Sequence, residues 1–212
     1  MVKISRGPAP PELVRNHARW TRRFLQGRGS DWATPQAKRV LRKALRNLTH
    51  GKCAYCESRL DVSTGAEIEH FVAKTLERRR AFDWENLFPA CRLCNQSKGD
   101  RDHQGMLLKP DVDDPEPYFW LRPNGELAPF GSDERRRRCA EETIATCRLQ
   151  RGPLCRNRQH VMILMHNPDN WALFLAPEQE YKFVIRHLLR RFGCADLADE
   201  DRRRFERTGR EP

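Results

Sequence analysis

No stretch of this 212-residue chain stays apolar for long. The longest runs are "VMILM" (161–165) and "WALFLA" (171–176). Both fall far short of the roughly 20 residues that a membrane-spanning helix needs, so the reading is of a protein with no membrane partner. Residues 1–20, "MVKISRGPAPPELVRNHARW", hold no apolar segment of signal-peptide type, and the expected location is the cytoplasm. A G-x-x-x-x-G-K-[ST] loop is also missing, which excludes a phosphate cradle of that kind within the chain. There is no internal repeat. Acidic residues are in deficit, 29 against 40 Lys and Arg, for a net charge of +11. A surplus of that size favours a polyanionic partner, most simply nucleic acid.

What is present falls into three segments. Residues 1–52 carry two helical patterns, "ELVRNHARWTRRFLQ" (12–26) and "PQAKRVLRKALRNLTHG" (35–51). In the second, Val40, Leu41, Ala44, Leu45 and Leu48 fall on one helical face, while Lys38, Arg39, Arg42, Lys43 and Arg46 line the other. Pro35 suits its first turn and Gly51 its stop. Residues 53–103 change texture, with paired cysteines and short apolar runs. Residues 104–212 begin as Pro- and acid-rich loops, with a hairpin turn expected at Asn124-Gly125. A helix follows at 132–149, with Ser132 or Asp133 as cap. An amphipathic helix at 180–193 has Tyr181, Val184, Ile185, Leu188, Leu189 and Phe192 on one side. The terminal "DEDRRRFERTGREP" reads as a charged, frayed tail.

The cysteines carry the first chemical signal. "CAYC" (53–56) and "CRLC" (91–94) are two C-x-x-C knuckles separated by residues 57–90. In a reducing compartment such cysteines are metal ligands or buried thiols rather than disulfides. Cys53, Cys56, Cys91 and Cys94 complete the S4 shell that structural Zn²⁺ prefers. A closed S4 site has no open position, so this zinc is a staple for a loop-rich segment and not a catalyst. Cys139, Cys147, Cys155 and Cys194 lack such spacing and read as core thiols.

The zinc would close residues 57–90 into a loop. That loop holds Glu69-His70 in "IEHF" and Asn86 in "ENLFPAC", and Asn95 follows the second knuckle in "CRLCNQSKGD". Together these pieces resemble the HNH endonuclease family in its zinc-stapled form. The resemblance implies an α+β fold: a small ββα-metal core flanked by N- and C-terminal helices. It also implies that Glu69-His70 sits at a strand end, where neighbouring side chains can serve one site. Asn86 would then hydrogen-bond the following loop and hold the imidazole. Phosphodiester hydrolysis needs a base for water and a cation on the developing charge. His70 suits the base. Glu69 and Asn95 offer a sparse oxygen shell suited to Mg²⁺ or Mn²⁺, and Lys98 is placed to meet a phosphate. Asp102 and His103 lie roughly 10–12 Å beyond Asn95 along a continuous helix and are not site residues.

Residues 40–160, with "CAYCE", "IEHFVAK" and "LLKPDVDDPEPYF", are more narrowly similar to the HNH nuclease subunit of Septu-type (PtuB-like) antiphage defence systems. Ala73 stands where that subfamily often has proline. The similarity implies DNA as substrate and an ABC-type P-loop ATPase subunit as partner. Two other readings compete: a non-catalytic zinc module that binds nucleic acid, and a stand-alone restriction-like HNH nuclease.

Overall fold

The computed structural model describes residues 1–27, 32–60 and 65–208. The chain opens with two helices, α1 (Pro11–Leu25) and α2 (Pro35–Leu48). The Thr34 hydroxyl caps α2 by accepting from the Ala37 N–H, 3.2 Å away, and Pro35 sits in its first turn. Ala37, Leu41, Leu45 and Leu48 are buried along one face of α2, a stripe at helical spacing.

Next come β1 (Ala66–His70), β2 (Leu87–Cys91) and α3 (Arg92–Lys98). The strands are antiparallel, with Glu69 opposite Phe88 and His70 opposite Leu87. This ββα unit, flanked by helices on both sides in the chain, is the expected α+β architecture. Every residue of β2 is buried, because helices and loops cover both of its faces.

The second strand pair is β3 (Phe119–Leu121) with β4 (Leu127–Pro129), and its turn lies at Asn124-Gly125. Gly125 has φ 75°, and a Cβ there would collide with the Cys155 carbonyl. Glycine is therefore required by both conformation and space.

The remaining helices are α4 (Glu134–Thr146), α5 (Gly152–Met165), α6 (Trp171–Phe174), α7 (Lys182–Arg191) and α8 (Ala195–Thr208). Asp133, and not Ser132, caps α4 by accepting from the Arg136 N–H at 2.7 Å. Two expectations need correction. The stretch 199–208 is not a frayed tail but part of α8, with Ala198, Asp201 and Phe205 buried. Asp201 accepts from Lys182 Nζ at 2.5 Å and from Arg186 Nε at 2.8 Å, both on α7. The charge pattern that suggests a solvated tail hides this buried ion cluster. Likewise, Cys139 and Cys147 are buried thiols, but Cys155 and Cys194 are only half-buried.

Two apolar clusters organise the chain. One joins the knuckles (Cys53, Tyr55, Cys91, Cys94) to α4, α5, α7 and α8. The other packs α1 and α2 on Phe82, Leu87 and Phe88. The β1–β2 ladder and its loops lie where the two clusters meet. Among the described residues, no helix is long and apolar enough to cross a membrane.

Candidate active site and metal centre

The two knuckles converge. The sulfurs of Cys53, Cys56, Cys91 and Cys94 all lie within 4.8 Å of one another, and all four residues are buried. Cys56 and Cys91 sulfurs are 3.8 Å apart. Four Zn–S bonds of about 2.3 Å in a tetrahedron set sulfurs about 3.8 Å apart, so the set fits zinc. The Arg151 guanidinium lies 3.6 Å from Cys94 Sγ and 3.8 Å from Cys91 Sγ. Four thiolates on one divalent ion leave a net negative charge, and Arg151 is positioned to offset it. Nothing in the spacing of the sequence pointed to Arg151.

Beside this centre the ββα unit builds a cleft of about 200 Å³, lined by Glu69, His70, Lys74, Asn95 and Asp100 among others. Glu69 and His70 are adjacent in β1, yet both line it. The strand ends at His70, and the chain then turns under the control of Asn86. Asn86 is fully buried. Its backbone carbonyl accepts from the Phe71 N–H at 2.9 Å. Its side-chain oxygen accepts from the Val72 N–H at 2.8 Å, and its amide donates to the carbonyls of Val72 and Arg80 at 3.0 and 3.1 Å. A short side chain with both donors and an acceptor is what such a turn requires.

The His70 ring is fixed in orientation. Nε2 lies 3.0 Å from the Ala81 carbonyl, which can only accept, so Nε2 carries the proton and Nδ1 the lone pair. Lys74 Nζ is 3.4 Å from Nδ1. Burial, and then the positive charge of Lys74, pushes the His70 pKa down to about 3. Trp32 packs edge-on against the imidazole, with ring centroids 4.6 Å apart at 83°. The Lys74 ammonium sits 5.6 Å from the Trp32 ring centroid. Trp32 is far from the motif in sequence, and no local pattern pointed to it.

Glu69 is 1% exposed, and both its oxygens are engaged. Oε1 pairs with Lys98 Nζ at 2.7 Å, and Oε2 accepts from the Tyr55 hydroxyl at 2.6 Å. Burial raises the Glu69 pKa, while Lys98 and the Tyr55 hydroxyl oppose the rise. Lys98, expected to reach a phosphate, is itself 1% exposed and also donates to the His70 carbonyl at 2.9 Å. Its ammonium therefore meets the Glu69 carboxylate inside the fold and not the surface. Asn95 donates through Nδ2 to Glu67 at 2.5 Å.

Gly99, with φ 61°, terminates α3, and the chain beyond it diverges. His103 pairs with Glu142 of α4 at 3.0 Å, while Asp100 stays at the cleft. The structure thus brings Glu69, His70 and Asn95 to one cleft, with Asn86 behind its loop, and leaves Asp102 and His103 outside its lining. Tyr55, Lys74, Trp32 and Asp100 are additional contributors. Tyr55 was legible only as the third residue of a knuckle.

Comparison with known proteins agrees with this geometry. Residues 53–101 match the HNH endonuclease family model, a span that contains both knuckles and the cleft. The chain is similar to a Septu protein PtuB of Bacillus thuringiensis, at 37% identity over 54% of this chain and 44% of that protein. It is also similar to a Septu protein PtuB of Bacillus mycoides (strain KBAB4), at 27% identity over 57% of this chain and 50% of that protein. The chain spans about half the length of the curated relatives it matches.

Proposed function

We propose that the HNH endonuclease domain at residues 53–101 makes this chain a metal-dependent nuclease that hydrolyses DNA phosphodiester bonds. The observation that carries this reading is the neutral, oriented His70 in a cleft shared with Glu69 and Asn95. With its proton on Nε2, His70 takes the proton of an attacking water at Nδ1. A pKa near 3 makes a weak base. A substrate phosphate beside Lys74 would offset the ammonium charge that helps to hold the value down, and burial of the phosphate would draw Lys74 away from Nδ1. Asn86 keeps the turn at 70–72 in place while this happens.

Glu69 and Asn95, with Asp100 at the rim, are the residues that would hold Mg²⁺ or Mn²⁺. When bound, such an ion supplies charge stabilisation at the phosphate and the leaving oxygen. The donor set fits: a buried carboxylate that already attracts one cation, Lys98, and the amide oxygen of Asn95, which lines the same cleft while its Nδ2 donates to Glu67. For Oε1 to serve such an ion, Lys98 would have to release it, while its bond to the His70 carbonyl could remain. The zinc centre holds the cleft from behind through Tyr55.

The Septu relatives support a role in antiphage defence. On the same resemblance, the ATPase function lies in a P-loop partner subunit, since this chain has no such loop. The test is cleavage of supercoiled plasmid with and without Mg²⁺ and EDTA, alone and with that partner. His70→Ala should lower cleavage by about 10²–10⁴-fold while zinc content and DNA binding stay near wild type. Undiminished cleavage would refute the mechanism. A wild type as silent as the variant under every metal and partner would favour a non-catalytic zinc module.

A further inference from the structure

The β3–β4 hairpin and α7 line a second cleft, of about 290 Å³, that shares no residue with the Glu69–His70 site. Its floor is Phe119 and Phe183, both buried, packed edge to face with centroids 6.1 Å apart. Trp120 and Phe130 form its wall. They lie within 20° of parallel, with centroids 5.7 Å apart, and are 38% and 47% exposed. Large aromatic rings left in water beside a recess mark a binding surface more often than isolated exposed residues do.

The electrostatics of the rim are one-sided. Arg191 is exposed, and its guanidinium lies 5.4 Å from the Trp120 ring centroid. Glu116 is the carboxylate on the lining, and it is paired with Arg190 at 3.1 Å and flanked by Arg186 at 3.9 Å. His187 meets Trp120 edge-on, with centroids 4.7 Å apart, and its Nε2 has no hydrogen-bond partner. The cleft therefore combines two partly exposed aromatic rings with an arginine that lies over Trp120 and, among the described residues, pairs with no carboxylate.

We propose that this cleft is a base-stacking site for single-stranded nucleic acid. One unstacked nucleobase takes the place of the exposed Arg191 guanidinium over Trp120, beside Phe130, and Arg191 turns to meet its phosphate. Every base has a π face, so aromatic rings beside an arginine hold single strands with little regard for sequence. A base inside a duplex already has both faces stacked on its neighbours, so a site that takes a base face selects single strands over duplex. An apolar peptide segment could fill the floor, but it would gain nothing from Arg191. The proposal rests on the nuclease reading for its ligand class alone, and its test does not depend on cleavage.

The test uses the full chain and short fluorescent oligonucleotides, read by anisotropy: oligo-dT, and an abasic oligomer of the same length. Trp120→Ala should weaken oligo-dT binding by about 5- to 150-fold and leave abasic binding unchanged, whereas Trp120→Phe should stay near wild type. If Trp120→Ala binds oligo-dT like wild type, or loses the abasic oligomer equally, the stacking site is overturned. Should Trp120→Ala not fold, Arg191→Ala alters only an exposed side chain; it should weaken oligo-dT binding severalfold, and no change would overturn the proposal. A chain that cuts no plasmid under any metal or partner yet shows the base-dependent loss keeps this site and removes the nuclease reading. A chain that cuts plasmid without that loss does the reverse.

Discussion

Glu69 is a carboxylate removed from water and held by two partners, the Lys98 ammonium and the Tyr55 hydroxyl. A hydrogen bond to a charged group is worth about 1.5–3 kcal/mol, and a buried acceptor left unpaired costs its desolvation. Tyr55→Phe should therefore destabilise the protein by about 1.5–3 kcal/mol, measured as a lower urea midpoint at unchanged slope. The same variant should weaken Mn²⁺ binding, because Glu69 loses the bond that fixes its rotamer. Tyr55 lies between Cys53 and Cys56, so a zinc held by the knuckles would also orient the carboxylate. Elemental analysis should find about one zinc per chain. Cys56→Ser should lose the zinc together with solubility or fold, and full retention of zinc would overturn the S4 assignment.

At the scale of elements, α7 and α8 depend on one buried ion cluster. Asp201 on α8 faces Lys182 and Arg186 on α7, and all three are at most 4% exposed. Burial lowers the Lys182 pKa, and Asp201 opposes the fall. Removing one member of a buried ion cluster leaves the others uncompensated, at a cost of about 3–5 kcal/mol. Asp201→Ala should lose about that much in chemical denaturation, and a loss below about 1 kcal/mol would show that α8 is held by Ala198 and Phe205 instead. The α7 pattern itself was legible, since Val184, Ile185, Leu188 and Leu189 are buried as spaced. The helical state of 199–208 was not, because charged residues normally face water and only the counter-charges on α7 make Asp201 buriable.

At the scale of the molecule, two histidines outside the candidate cleft link stability to pH. Burial, aided by Arg191 and Arg190, pushes the His187 pKa down to about 4. Burial also lowers that of His50. In the unfolded chain both titrate near about 6.5. Between the two values the unfolded state binds more protons, so stability rises with pH and is lost on acidification from about 6.5 toward 4. The melting temperature should fall over that window, and His187→Gln should flatten the fall. The charge of +11 predicts DNA binding that weakens with salt at a log–log slope of about −0.9 per phosphate contact. A flat response would direct the charge to a protein partner.

The cysteine knuckles and the helix at α2 were legible from local pattern, because thiol spacing and apolar periodicity act over a few residues and are visible in one dimension; Glu69, His70, Asn86 and Asn95 were singled out by their resemblance to the HNH motif. Lys98 was visible too, but its direction was not, because an ammonium one turn past Asn95 reaches either solvent or Glu69 depending on how α3 packs on β1. Trp32 over His70, Arg151 behind the thiolates, Tyr55 on the carboxylate and the Trp120–Arg191 cleft belong to tertiary structure alone. Each joins segments distant in the chain, through contacts that exist only once the two apolar clusters have closed around the β1–β2 ladder.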